Sequence, residues 1–327
     1  MKDSYGRSIE YLRISVTDRC NLRCAHCMPP EGVPLLTHAD ILSYEEIAVV
    51  AEQAAALGIR KVRLTGGEPL VRPGLSSLVS LLKAVPGIES LQLTTNAVLL
   101  KEQLPALLDA GLDGVNISLN ALDRDAYLAF TGRDSFDAAM EGLQAALDAP
   151  KLRVKVNCVP TRGREEQLVR LASLARDTRA SVRFIELMPI GRGTALQGLS
   201  KDEVLALLKS AYGTPVPSTG SGTSSGTISG PAEYMRFPGF CSDIGFISAV
   251  SCRFCEHCNR IRLTADGKLK SCLAYPAGED IRAILRSDGN LEDLKAALER
   301  CVLSKPQNHQ FGSESTQEDR LMSQIGG

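Results

Sequence analysis

Three cysteines, Cys20, Cys24 and Cys27, stand in the run Asp18-Arg19-Cys20-Asn21-Leu22-Arg23-Cys24-Ala25-His26-Cys27. The spacing is C-x3-C-x2-C, with no fourth cysteine close by. Three thiolates can hold three corners of a cubic [4Fe–4S] cluster. The fourth iron is then open to a ligand that is not protein, which suits chemistry at that iron better than electron storage alone. The competing readings are a zinc site or free core thiols. Structural zinc wants four ligands; His26 is a candidate fourth, but it adjoins Cys27 and is poorly placed to reach the same metal. A second cysteine group lies near the other end, in Phe254-Cys255-Glu256-His257-Cys258-Asn259-Arg260-Ile261-Arg262-Leu263-Thr264 followed by Gly267 and Cys272. Its spacing is C-x2-C-x13-C, and Cys252 adds another C-x2 step, so spacing alone leaves a zinc ribbon open.

The elements that must position these groups alternate. Strand patterns over Leu12–Val16, Lys61–Thr65, Leu91–Thr95, Val115–Leu119, Arg153–Val159 and Val182–Leu187 are separated by helical stretches. One helix begins at the capping box Ser43-Tyr44-Glu45-Glu46 and ends near Gly58; another begins at Ser200-Lys201-Asp202-Glu203. Six strands separated by helices predict parallel β/α units closing into an α/β fold, a partial (β/α)6 barrel of TIM type. Buried parallel strands normally read as continuous apolar runs, but these alternate. Leu12, Ile14 and Val16 interleave with Arg13, Ser15 and Thr17, and the other strands repeat the pattern. The apolar set must face the helices, so the polar set, with Arg13, Lys61, Arg63, Lys155 and Arg183 on different strands, lines the interior as a binding cavity. A solvated antiparallel face is the alternative, and the intervening helices oppose it. Clustered buried cations are costly without an anion, and a triphosphate suits them. At the end of the second strand, Thr65-Gly66-Gly67-Glu68-Pro69 offers glycines that admit a ligand and a carboxylate for a cationic amino group. Sites of such barrels assemble at the C-terminal strand ends.

The chain has 327 residues, 44% of them hydrophobic, and a net charge of −1. That length allows one large or two medium domains, and the charge gives no global field for nucleic acid or membranes. No apolar run reaches the length of a membrane span. Ten cysteines without a secretory signal favour metal ligation in a reducing, cytoplasmic compartment over disulfides. From Thr214 to Pro231, 16 of 18 residues are Gly, Ser, Thr or Pro. The expected division is a barrel over 1–213, a flexible linker or loop over 214–231, and an α+β extension over 232–327. In that extension an apolar stretch, Ile244–Val250, precedes the second cysteine group, and helices are expected near Glu279–Ser287 and Leu291–Cys301. The polar tail ending in Gly326-Gly327 reads from composition as a frayed terminus.

The triplet together with Gly66-Gly67-Glu68 resembles the radical S-adenosylmethionine (SAM) enzymes. That resemblance implies Cys20, Cys24 and Cys27 as ligands of a first [4Fe–4S] cluster. It also implies Gly66, Gly67 and Glu68 around the methionyl amine of SAM, with His26, Ser118 and Met188 beside it. His26 stands where the family usually places an aromatic residue. Adding Leu93-Thr94-Thr95-Asn96, the second cysteine run and terminal Gly326-Gly327, nearly the whole chain is similar to the GTP 3′,8-cyclase family of molybdenum cofactor biosynthesis. This implies a second [4Fe–4S] cluster on Cys255, Cys258 and Cys272, with Cys252 unligated. It implies GTP bound by Arg13, Lys61, Arg63, Thr94, Lys155, Arg183, Arg260, Ile261 and Arg262, and catalytic roles for Arg260, Arg262, Gly326 and Gly327. The implied reaction takes the 3′ hydrogen of GTP by an adenosyl radical and closes the ribose onto C8 of guanine. Implied partners are an electron donor such as flavodoxin or ferredoxin and, through the product, cyclic pyranopterin monophosphate synthase; a homodimer stays open. The rival readings are a radical SAM enzyme that modifies a peptide and a non-catalytic iron–sulfur or zinc sensor. The inward cations favour a polyanion over a peptide.

Overall fold

The computed structural model describes residues 1–218, 230–251, 254–276, 278–287, 290–309, 311 and 320–326. All six expected strands form within one or two residues of their expected ends. They are β1 (Tyr11–Ser15), β2 (Lys61–Thr65), β3 (Ser90–Thr95), β4 (Gly114–Ser118), β5 (Arg153–Cys158) and β6 (Ser181–Ile185). The helices between them are α1 (Tyr44–Ala56), α2 (Leu75–Lys83), α3 (Leu100–Asp109), α4 (Arg124–Thr131), α5 (Phe136–Asp148) and α6 (Glu165–Asp177), followed by α7 (Lys201–Tyr212) after β6. Both capping boxes close as read. The Ser43 hydroxyl accepts from the Glu46 amide while the Glu46 carboxylate accepts from the Ser43 amide, and Ser200 and Glu203 repeat the exchange.

The C-terminal region contributes more to the wall than its composition suggests. It supplies β7 (Val216–Ser218), β8 (Glu233–Arg236), β9 (Ile244–Ile247), β10 (Arg260–Leu263), β11 (Lys268–Lys270) and β12 (Glu279–Asp280). Among the described residues one sheet runs β12-β11-β10-β1-β2-β3-β4-β5-β6-β9-β8-β7. From β10 through β9 every neighbour is parallel, so the six-stranded wall is lengthened at one edge by β10 on β1 and at the other by β9 on β6. The outer strands β7, β8, β11 and β12 pair antiparallel. The expected linker thus opens as a short strand; its residues 219–229 lie outside the described residues. The two expected helices form as α8 (Ile281–Arg286) and α9 (Leu291–Leu303). No helix among the described residues is long and apolar enough to cross a membrane.

The strands are two-faced, as their alternation requires. Leu12, Ile14, Val62, Leu64, Leu91, Leu93, Val115, Ile117, Val154, Val156, Val182 and Phe184 join the helices in the main core. Their neighbours turn inward. Register sets Arg262, Arg13, Arg63 and Gln92 side by side across β10, β1, β2 and β3.

The tail is docked rather than frayed. A short helix, α10 (Met322–Ile325), buries Ile325, and the Gly326 carbonyl accepts a 2.9 Å hydrogen bond from Arg262 Nη1. Gly326 has φ +77°, and a Cβ there would lie 2.8 Å from both Ser15 Cβ and Thr65 Oγ1. Gly327 lies outside the described residues. Left-handed backbone costs a non-glycine residue about 1–2 kcal/mol, before the collision is counted. Gly326→Ala is therefore expected to release α10. Amide exchange over 322–326 should accelerate about tenfold or more, with the α1 and α6 amides unchanged; unaltered protection of the tail would contradict the docking.

Candidate active site

The loop after β1 and the loop after β2 are hydrogen-bonded together. The Gly67 amide donates to the Thr17 carbonyl at 2.8 Å and the Glu68 amide to the Arg19 carbonyl at 2.8 Å. A Cβ at Gly67 would fall onto the Arg19 carbonyl and 2.7 Å from Asp18 O, and one at Gly66 would lie 2.7 Å from Thr17 O. The glycines were expected to clear room for a ligand. The room their missing side chains leave is filled by the cysteine loop itself, which is how that loop is set. The far side of the loop is held by α4: the Arg23 amide donates to Thr131 O and the Ala25 amide to Phe130 O. The Arg23 guanidinium also caps the Cys20 and Leu22 carbonyls at 2.9 Å. His26 packs its ring 5.2 Å from that of Phe130, and burial pushes it down to about 4, so it is neutral.

Glu68 is 1% exposed. Its Oε1 accepts from the Leu70 amide and the Thr95 hydroxyl, and its Oε2 from the Asn96 amide at 2.6 Å. A carboxylate oxygen has two acceptor sites, so Oε2 keeps capacity for a ligand. Burial raises this carboxyl to about 7 against the pull of those donors. Burial also raises Cys20 to about 11, Cys27 to about 12 and Cys24 well above the ordinary thiol value. Thiolates form there only when positive charge arrives at the sulfurs, as metal binding supplies.

Both cysteine triplets open into one chamber of about 400 Å³. The inward residues of β10, β1, β2, β3, β4, β5 and β6 line it, so the wall is curved around the cavity. Among the described residues nine Lys or Arg side chains reach it (Arg13, Lys61, Arg63, Arg153, Lys155, Arg183, Arg260, Arg262 and Lys305), against two carboxylates, Glu68 and Glu186. Glu186 is engaged with the Val250 and Ser251 amides. Burial, reinforced by the surrounding cations, pushes Lys61 down to about 7, Lys155 to about 6, Arg13 and Arg63 to about 9 and Arg262 to about 10. Arg183 is aimed by two amide oxygens, Asn157 Oδ1 at 2.9 Å and Asn116 Oδ1 at 2.8 Å. Buried polar groups without a partner among the described residues collect on the same lining: Tyr11 OH, His26 Nδ1, Arg63 Nε, Thr94 Oγ1, Asn116 Nδ2, Tyr127 OH and Ser323 Oγ. Native interiors seldom leave such groups unmet; their concentration in one cavity marks a site shaped for polar ligands. Ser118 and Met188 also line the chamber.

The triplets sit at opposite mouths. Cys20, Cys24 and Cys27 follow the C-terminal end of β1, whereas Cys258 precedes β10, its parallel neighbour, and Cys272 follows the antiparallel β11. Around the second triplet, Lys305 is 3% exposed and donates to the Arg260 carbonyl at 2.8 Å and the Ser271 carbonyl at 2.6 Å. The His309 amide donates to Cys255 Sγ at 3.4 Å. Arg7, paired with buried Asp3, donates to the carbonyls of Cys255, Pro306 and Gln307. Burial raises Cys258, but Arg260 and Lys305 outweigh it and bring the thiol down to about 6; burial leaves Cys255 raised. Among the described residues no three His, Cys, Asp or Glu converge as a single ion would need. Two sets of three soft thiols, each facing the same cavity, are the donor set of a cubane.

One expected ligand is displaced. The side chain of Ile261 is fully buried in the helix-facing core, because Arg260 and Arg262 on either side of it turn inward; only its backbone can serve a ligand. Cys252 lies outside the described residues. The chamber also contains residues that motif reading did not single out: Tyr11, Gln92, Arg153, Asn116, Asn157, Tyr127 and Lys305. Strand parity finds the first five, since each shares a face with a residue already placed inside; nothing local in the sequence marks Lys305.

A model of the radical SAM superfamily matches residues 14–175, and one described as Molybdenum Cofactor Synthesis C matches residues 180–311. GTP 3′,8-cyclases of Moorella thermoacetica, Petrotoga mobilis and Pelotomaculum thermopropionicum are 44%, 43% and 43% identical, each comparison covering 100% of both chains. Among solved structures, Streptococcus suis SuiB bound to S-adenosylmethionine is 15% identical with a TM-score of 0.59, covering 90% of this chain and 68% of that one. At that identity the likeness concerns the fold alone. By the full-length likeness to the cyclases and the two family models, the chain belongs to the GTP 3′,8-cyclase family.

Proposed function

We propose that the chamber holds GTP between the two thiol triplets and cyclises it to (8S)-3′,8-cyclo-7,8-dihydroguanosine 5′-triphosphate, the first step of molybdenum cofactor biosynthesis. The observation that carries this reading is the shared cavity, in which two three-thiol sites face one excess of cations. A cluster on Cys20, Cys24 and Cys27, with SAM, supplies when bound the one-electron cleavage that yields an oxidant for the 3′ hydrogen. The chain's own residues bind and orient. Glu68 Oε2, with the Gly66 and Gly67 backbone, takes the methionyl amine; neutral His26 offers a flat ring, and Ser118 and Met188 complete the SAM contacts. Arg13, Lys61, Arg63, Lys155 and Arg183, with the Thr94 hydroxyl, hold the triphosphate. These contacts serve every nucleoside triphosphate alike, so guanine is chosen along β10, by Arg260, Arg262, the Ile261 backbone and a second cluster on Cys255, Cys258 and Cys272. Three thiols would suffice to hold such a cluster, so Cys252 is not needed as a ligand. Closure onto C8 is completed by one electron and one proton. Arg260 and Arg262, fixed cations at the purine end, stabilise negative charge that develops there. Gly326, held by Arg262, brings the tail to the site, and the role given to Gly327 falls outside the described residues. Residues 1–213 serve SAM and the phosphates, 232–327 serve the base, and 214–231 connect them. Flavodoxin or ferredoxin supplies the electron, and cyclic pyranopterin monophosphate synthase takes the product.

Three measurements test this reading. Anaerobically reconstituted protein should carry about eight iron per chain, as two cubanes require, with little zinc; four iron, or tetrahedral zinc at the second triplet, would remove the second cluster. In the same protein, Lys155→Ala with Arg183→Ala removes two charge-assisted contacts of roughly 1.5–3 kcal/mol each. GTP should bind about a hundredfold or more weakly while SAM affinity holds, as read by equilibrium dialysis; equal losses for both ligands argue against the phosphate assignment. Finally, Lys61 at about 7 and Lys155 at about 6 are largely neutral at pH 8. A phosphate favours their charged forms, so GTP binding at pH 8 should take up protons and affinity should fall as pH rises from 6 to 8. Calorimetry in buffers of different ionisation enthalpy reads the sign, and proton release would contradict it.

A further inference from the structure

Tyr11 has no role in the reading above, yet it lies among the residues that do. It is the first residue of β1, paired with Lys61 on one side and Arg260 on the other, and its backbone amide donates to Asn259 O at 3.1 Å. The ring lines the chamber at 5% exposure. Lys61 Nζ lies 5.1 Å and the Arg63 guanidinium carbon 5.4 Å from the ring centre, so both cations rest on the phenol. Its hydroxyl is buried and has no hydrogen-bond partner among the described residues. The polar side chains nearest in register, Lys61, Arg63, Arg260 and Arg262, carry donors only. A phenolic hydrogen among them finds no acceptor until one arrives.

We propose that Tyr11 is a further triphosphate-binding residue, its ring presenting Lys61 and Arg63 and its hydroxyl donating to a phosphate oxygen that those two cations hold. The proposal rests on the assignment of this cation group to the triphosphate. It fixes the acceptor as phosphate because the same two cations flank the ring and each seeks an anion. It also carries an unusual sign. In the ligand-free protein the hydroxyl is a buried donor without a partner, an unfavourable arrangement; its removal should not cost stability.

The test is Tyr11→Phe in the reconstituted holoenzyme, which keeps the ring and its two cations. The GTP dissociation constant is expected to rise about tenfold, equivalent to 1.4 kcal/mol. Inorganic tripolyphosphate should lose a similar factor as a competitor of GTP, SAM affinity should hold, and the melting temperature without nucleotide should stay level or rise. Unchanged GTP affinity overturns the proposal. So does weakened GTP binding with tripolyphosphate unaffected, which moves the contact to the base, and so does a lowered melting temperature, which makes the hydroxyl structural. If tripolyphosphate fails to compete even in the unaltered protein, the assignment of the cations to phosphate is what fails.

Discussion

Positive charge gathered inside a curved wall is the constraint to which the rest of this structure answers. Arg262, Arg13 and Arg63 occupy neighbouring register positions on three adjacent strands. Strands lie about 4.8 Å apart, and two unit charges at that spacing repel by about 3 kcal/mol at an effective dielectric of 20. Several such pairs would be hard to keep in a ligand-free protein. The chain answers by lowering the proton affinity of the lysines, by setting Arg183 between two asparagine oxygens, and by resting Lys61 and Arg63 on the face of Tyr11. None of these adds a carboxylate, so the field that draws a polyanion is kept.

The rigidity that opposes this repulsion comes from the other face of the same strands. Leu12, Ile14, Leu64, Leu93 and Val156 are fully buried against the helices, and their packing fixes which way each arginine points. A one-residue slip of β1 would exchange Arg13 for Leu12 inside the chamber. The loops are secured in a different manner. The cysteine loop is seated by backbone bonds to Gly67 and Glu68 and by α4, and the second triplet by Lys305, Arg7 and the His309 amide. The two thiol-bearing ends are thus anchored by hydrogen bonds, whereas the cation-lined middle is anchored by apolar packing.

That division explains what could be read from the sequence. Period-two alternation is a local property, so the inward face of β1 to β6 was legible, including Arg13, Lys61, Arg63, Lys155 and Arg183. Applied to β10 it would also have turned Ile261 outward, because Arg260 and Arg262 share the opposite parity; a motif placed that residue among the ligands where parity would not. Tyr11 shares parity with Arg13 but looks like an ordinary aromatic at a strand start. Lys305 follows α9 in an irregular stretch, and its meeting with the Arg260 and Ser271 carbonyls is purely tertiary. The completion of the wall by β9 and β10 was hidden for the same reason: strand order is set by pairing, and nothing in Ile244–Ile247 or Arg260–Leu263 declares its neighbour.

The opposite placement of the triplets follows from β10 running parallel to β1, and it constrains how a nucleotide can lie. β1 has five residues; at about 3.3 Å per residue its ends are roughly 16 Å apart. On the proposed assignment, a base at the Cys258 mouth and a methionyl group at the Cys20 mouth would leave the ribose near mid-strand, facing the SAM side. On the proposed assignment a triphosphate on the 5′ carbon would not continue along the axis, because SAM would fill that direction. It must turn against the wall, and the cations stand there, on β1, β2, β5 and β6. The same charges laid at one mouth would bind a triphosphate equally well and hold the ribose away from the SAM site, so their position along the strands matters to the reaction as much as their number.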